Sequence, residues 1–162
     1  MARLITFSRV FPAYHPRKGE PTNFVEQIYN SIFEEDCDWS DAPGGPEAYV
    51  IEMNHSVVTL KHHTIRNGNR WKVGDKFSPR VWSGKPYASK MITIAPDIEI
   101  KKIWDFEIKG DSIYIDGRSI SPDNLEEVAE NDGLSRHELQ EWFQYPKPFK
   151  GQIICWSDSI NY

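Results

Sequence analysis

The alternation of apolar and polar positions divides this chain into short strands and three short helices. Leu4 to Phe11 is rich in β-branched and aromatic residues and stops at Pro12, which predicts a first strand. After the turn HPRKGEPT, Thr22 or Asn23 caps a helix in which Phe24, Ile28 and Ile32 recur every four residues, with Val25 and Phe33 widening the face. That helix is predicted to stop near Phe33. Tyr49, Ile51 and Met53 alternate with polar or small neighbours, and Val57, Val58 and Leu60 continue as strand material. Lys76 to Trp82, Met91 to Ala95 and Ile98 to Ile108 read as three further strands, and Asp111 to Asp116 carries the pattern on through Ile113 and Ile115. Asp123 with Glu126 is a capping signature for a helix over Ser121 to Glu130, stopped by Asn131-Asp132-Gly133. Ser135 and Glu138 form the capping box of the next, with Leu134, Leu139, Trp142 and Phe143 on its apolar side and Pro146 and Pro148 ending it. Gly151 opens a final strand, Gln152 to Trp156, expected to be the last stave of a closed or nearly closed sheet.

Strands that do not alternate strictly with helices predict an α+β domain around a small β-barrel with short peripheral helices, and 162 residues suit a single domain. The pattern lapses at about 34–47, where six acidic residues, no basic ones and the Pro-Gly-Gly-Pro of Pro43 to Pro46 mark an acidic loop insertion. Such a loop is either a lid or, more plainly, a solvated excursion; as a contact surface it would make the chain a protein-interaction or regulatory module. The opening MARLITFSRV is too short in its apolar run for a signal peptide and no later stretch would span a bilayer, so no membrane partner and a cytoplasmic location are expected. Cys37 lies in the acidic loop and Cys155 in an apolar strand, without a CxxC, and neither is given a catalytic role.

Charge changes the picture more than composition does. From residue 61 to 90 eight cations face Asp75 alone, a balance of plus seven in a chain of net charge −5. Trp71, Trp82 and Tyr87 are interleaved with them, the combination needed to stack on bases while neutralising phosphates, so RNA or a nucleotide is the expected partner. A twisted sheet with charged edges and core aromatics is the plainer account of the same residues. There is no Gly-rich phosphate loop.

The window is densest in KHHTIRNGNRWKVGD, residues 61 to 75. Lys61 and Thr64, three apart, converge only in a turn or bend; an amine beside a hydroxyl can activate it as a nucleophile, though Lys-x-x-Thr is common by chance. Arg66 and Arg70 have the fork that binds phosphate or carboxylate, or an ordinary salt bridge. His62 and His63 are adjacent and would point to opposite faces of a strand, so no shared metal is expected, and no cofactor. Asp132, just before a new helix, is the acid available to such a site, unless Asn-Asp-Gly is simply a helix stop.

Taken together, Lys61-His62-His63-Thr64-Ile65-Arg66, Gly68-Asn69-Arg70-Trp71, Val73-Gly74-Asp75 and, more faintly, Asn131-Asp132-Gly133-Leu134-Ser135 with Trp142-Phe143 and the closing strand resemble the ASCH domain family of the PUA-like superfamily. The resemblance spans most of residues 57 to 156, and the opening segment is similar to the beginnings of some phage and bacterial members. It implies a PUA-like β-barrel with a basic cleft around Lys61 to Arg70 for RNA or a nucleotide, where His63, Arg66, Arg70, Trp71 and Lys72 would meet the ligand. It also implies an alternative: some members are hydrolases, acting on acylated cytidine or as ribonucleases, through a Lys-x-x-Thr motif and a distant glutamate. Lys61 and Thr64 match that motif. Asp132 stands where the glutamate would, one methylene shorter. In that version Lys61 is the base, Thr64 the nucleophile or water-positioning hydroxyl, and Asp132 the group that holds Lys61 or moves its proton.

Overall fold

In the computed structural model, residues 2–32, 54 and 56–162 are described. The acidic loop at about 34–47, Cys37, the helix end at Phe33 and the alternating Tyr49, Ile51 and Met53 lie outside them. In chain order the elements are β1 (Arg3–Thr6), α1 (Phe24–Ile32), β2 (His63–Asn67), β3 (Lys76–Trp82), β4 (Met91–Thr93), β5 (Ile98–Glu99), β6 (Lys102–Lys109), β7 (Ser112–Ile115), β8 (Arg118–Ser119), α2 (Pro122–Asn131), α3 (Arg136–Trp142) and β9 (Phe149–Cys155). The chain is α+β, and its residues form two units: Met1–Thr59 with Lys76–Glu99, and Leu60–Asp75 with Ile100–Tyr162. Each has its own sheet, and the four cations from Lys76 to Lys90 therefore belong to a different unit from Lys61, Arg66, Arg70 and Lys72. Among the described residues no helix is long and apolar enough to cross a membrane.

In the first unit β3 is the shared strand. It pairs in parallel with β1, placing Ile5 opposite Pro79, and antiparallel with β4 and β5. The strand predicted over Leu4 to Phe11 is shorter because, once Phe7 N–H has donated to Arg80 O, the chain turns back on itself. Phe11 N–H donates to Glu20 O, and the Thr22 hydroxyl donates to Ser8 O at 2.7 Å. Thr22 also accepts from Phe24 N–H while Asn23 O takes the first helical bond from Gln27 N–H, so both of the expected capping residues serve the start of α1. The predicted face, Phe24, Val25 and Ile28, is buried. Val57 to Leu60, expected as strand, is not one: the Asn30 side-chain amide takes up the carbonyls of Val57 and Thr59, leaving nothing to form a ladder on that side.

The second unit holds the five-stranded antiparallel sheet in the order β2-β9-β6-β7-β8. The expected last stave is thus its interior: β9 lies between β2 and β6, and five of its seven residues are buried. Gly151 is required there, since a Cβ would stand 2.1 Å from Arg66 O. The long strand expected over Ile98 to Ile108 breaks at Ile100, whose N–H goes to Asp75 O and whose carbonyl takes Gly74 N–H. Apolar Ile65, Ile153, Trp104, Phe106, Ile108, Ile113 and Ile115 fall at matching register positions and are buried on one face. Phe143, just after α3, packs its ring against Phe106 and Phe149 at 5.7 and 4.7 Å. The α2 cap is Ser121, with Pro122 in the first turn, rather than the Asp123 and Glu126 pair. The Ser135 and Glu138 capping box is formed, and α3 ends at Trp142, ahead of the prolines expected to end it. Neither ladder closes on itself among the described strands, so the expected closed sheet is instead two open ones.

Candidate functional site

Asp132 is placed by local chemistry. As the C-cap of α2 it is followed by Gly133 at φ 81°, a left-handed position that glycine takes without strain, and the chain reverses into the Ser135 cap of α3. The corner faces the start of β2, where His62 N–H donates to Asn131 O and His62 O accepts from Trp156 N–H, extending the β2 and β9 pairing by one residue. Lys61 is 1% exposed, and its Nζ donates to Asp132 Oδ1 at 2.7 Å and to Asp132 O at 2.6 Å. His63, two residues on and fully buried, brings Nδ1 to 3.5 Å from the same Oδ1. Its Nε2 lies 2.7 Å from the hydroxyl of Tyr162, which also accepts from the Asn131 side-chain amide at 2.9 Å.

The resulting chain of contacts, Lys61 to Asp132 to His63 to Tyr162 to Asn131, is polar chemistry inside an apolar shell. Burial pushes the Lys61 amine below its ordinary value, against the pull of Asp132. Burial alone would raise Asp132, but Lys61 and His63 outweigh it and hold the carboxyl below the usual range. Burial likewise lowers His63, which Asp132 opposes, so the imidazole is neutral at physiological pH. A neutral ring with its proton on Nδ1 turns that proton toward Asp132 Oδ1, 3.5 Å away and short of a formed hydrogen bond, and leaves Nε2 to accept from the Tyr162 hydroxyl. Tyr162 is raised by its own burial, which keeps that hydroxyl protonated.

Comparison with protein-family models, with curated proteins and with solved structures finds no match to this chain.

Of the residues expected in the site, Lys61, His63 and Asp132 come together. Thr64 is buried, but it pairs with Ile154, and strand alternation turns it to the face of β2 opposite His63. Arg66 shares that opposite face, beside Gln152; burial lowers its guanidinium to about 10, Asp132 opposing and Arg70 adding to the shift. Trp71 is 3% exposed and its backbone N–H and C=O are both held by the Gln152 amide, so it is core rather than a stacking surface. Arg70 and Lys72 are exposed, the former with its guanidinium 5.9 Å from the Trp71 ring. Among the described residues no group of three or more His, Cys, Asp or Glu is arranged to hold a metal. Cys155 is buried, its thiol pushed up by burial.

Two participants had no sequence signal. Tyr162 lies beyond the last strand in a polar stretch, and Asn131 reads only as part of a helix stop. The other expected stacking residues are in the first unit, Trp82 at the end of β3 and Tyr87 on the β3 to β4 connection, rings 5.3 Å apart and tilted by 50°. Tyr87 is 91% exposed, and Lys85 and Lys90 on the same connection are exposed too.

Proposed function

We propose that this chain is an RNA- or nucleotide-binding protein of the ASCH kind, with a fold related to the PUA-like barrels. The observation that carries the reading is the Trp82 and Tyr87 pair. A tyrosine ring left 91% exposed against a tryptophan, on a connection bearing Lys85 and Lys90 beside Arg80, combines a stacking platform with backbone-neutralising charge. An unpaired base stacks on the open ring while the cations meet flanking phosphates. The polar network around Lys61 supplies a second contact region, because a buried ion pair adds little to stability for its desolvation and is better accounted for by function.

The test is the binding of a labelled single-stranded RNA decamer followed by fluorescence anisotropy. Three phosphate contacts, from Arg80, Lys85 and Lys90, predict a log-log salt slope of about −2, roughly a twentyfold loss between about 50 and 200 mM salt. Tyr87→Ala removes one stacked base and weakens binding about tenfold at either salt. Affinity indifferent to both salt and Tyr87 would remove the reading.

A hydrolase of the ASCH type is the second reading, favoured by the 2.7 Å contact between Lys61 and Asp132, which gives Lys61 the holding group it would need as a base. The reading ranks behind binding because strand alternation sets Thr64 on the face of β2 opposite His63, the other neighbour of Asp132. Assay on acylated cytidines and short RNAs decides it: turnover by Lys61→Ala equal to that of the unaltered protein ends the proposal.

A further inference from the structure

Residues 157 to 162 form no strand or helix, yet they are fastened at two points within the second unit. Lys102 Nζ donates to Asp158 O at 2.8 Å, Ile160 O at 2.6 Å and Asn161 Oδ1 at 2.8 Å, so all three of its protons go to this segment. Beyond that clasp the Tyr162 ring packs 4.8 Å from Trp104 and 5.7 Å edge-on from His63. Its hydroxyl accepts from the Asn131 amide at 2.9 Å and lies 2.7 Å from His63 Nε2, the atom left to take the phenol's own O–H when the neutral ring carries its proton on Nδ1. The place where the phenol ends therefore presents one donor and one acceptor side by side, against aromatic walls, with Asp132 and Lys61 behind.

We infer that this segment is a displaceable strap, and that Tyr162 stands in for a nucleobase. A base offers the same flat ring, and its edge carries a hydrogen-bond donor next to an acceptor; the uracil N3–H and O4 meet His63 Nε2 and the Asn131 amide at once, where the single phenol oxygen serves both. The fastening suits removal. Apart from the tyrosine ring it consists of hydrogen bonds made largely at exposed or half-exposed atoms, the kind that opens locally at small cost. Opening uncovers the buried network that joins Lys61 and His63 to the α2 corner. The inference rests on reading that network as a ligand site and names its ligand class.

Calorimetric titration with uridine tests it on the full chain. The unaltered protein binds weakly because the strap competes. Tyr162→Ala binds at least tenfold more tightly, and Lys102→Met, which loosens the clasp and leaves the ring, gives a smaller gain in the same direction. Adding Asn131→Ala to Tyr162→Ala abolishes the gain. Uridine affinity equal in the unaltered protein, Tyr162→Ala and Lys102→Met overturns the inference, as does phenol, but not uridine, entering the Tyr162→Ala protein, since the pocket would then hold only its own tyrosine. RNA anisotropy on the same samples separates the two ideas. Salt-sensitive, Tyr87-dependent RNA binding alongside no uridine response defeats the strap alone, while loss of the RNA signal with a retained uridine gain defeats only the β3 to β4 platform.

Discussion

At the scale of single residues, Asp132 decides the character of the second unit. It accepts from Lys61 and lies against His63 among buried side chains, so its charge opposes the lowering that burial imposes on both neighbours. Asp132→Asn leaves the Lys61 amine buried without its counter-charge, and is expected to cost about 3–5 kcal/mol in urea denaturation. Lys61→Met with Asp132→Leu, which removes both charges, should recover much of that loss. His63 gives a pH signature. Its folded value is depressed below the ordinary 6.5, so the unfolded chain binds the proton first. The stability this contributes is fully present above pH 6.5 and is lost as pH falls through that value toward the folded one. Asp132, also depressed, adds a further loss in the acid range below its ordinary 3.8. Denaturation midpoints should therefore fall from pH 7 to pH 5, and His63→Gln should flatten that part of the profile while leaving the more acid loss in place.

At the scale of elements, local signals were read well and partnerships were not. The α3 capping box was legible because its two residues satisfy each other within one turn. The α2 span is legible to within a residue, but its cap is Ser121, two residues before the Asp123 that pairs with Glu126, because Ser121 with Pro122 is as good a signal. Strand β9 is the instructive case. Gln152 to Trp156 is plainly a strand, but nothing in an apolar run says whether it lies at a margin or between two neighbours; Gly151, which admits Arg66 O where a side chain would sit, was the one clue. Gly151→Ala is expected to cost about 3 kcal/mol by forcing β2 and β9 apart, seen as a lower urea midpoint with unchanged slope. The site was half legible for the same reason. Lys61, His63 and Asp132 are named from the sequence, whereas Thr64, grouped with Lys61 by spacing, falls on the face of β2 opposite His63.

At the scale of the whole molecule, net charge −5 sets limits on its partners. A duplex presents a dense line of phosphates to a surface whose cations are few and local, and it keeps its bases stacked on one another rather than on Tyr87. Single-stranded RNA should therefore bind at least tenfold more tightly than a duplex of equal length in the anisotropy assay. The polarity of charge along the chain was visible from the outset. That its two halves, Lys61 to Lys72 and Lys76 to Lys90, belong to different units was not, because the division falls inside a continuous run of cations at Asp75.

The interior place of β9 also bears on how the chain comes to be made. Until Phe149 to Cys155 leaves the ribosome, β2 has no ladder to join and β6 can pair only with β7, so the five-stranded sheet assembles by insertion of a late arrival between two waiting edges. Nascent chains halted before that point would carry bare strand margins, the state in which a chaperone has most to do.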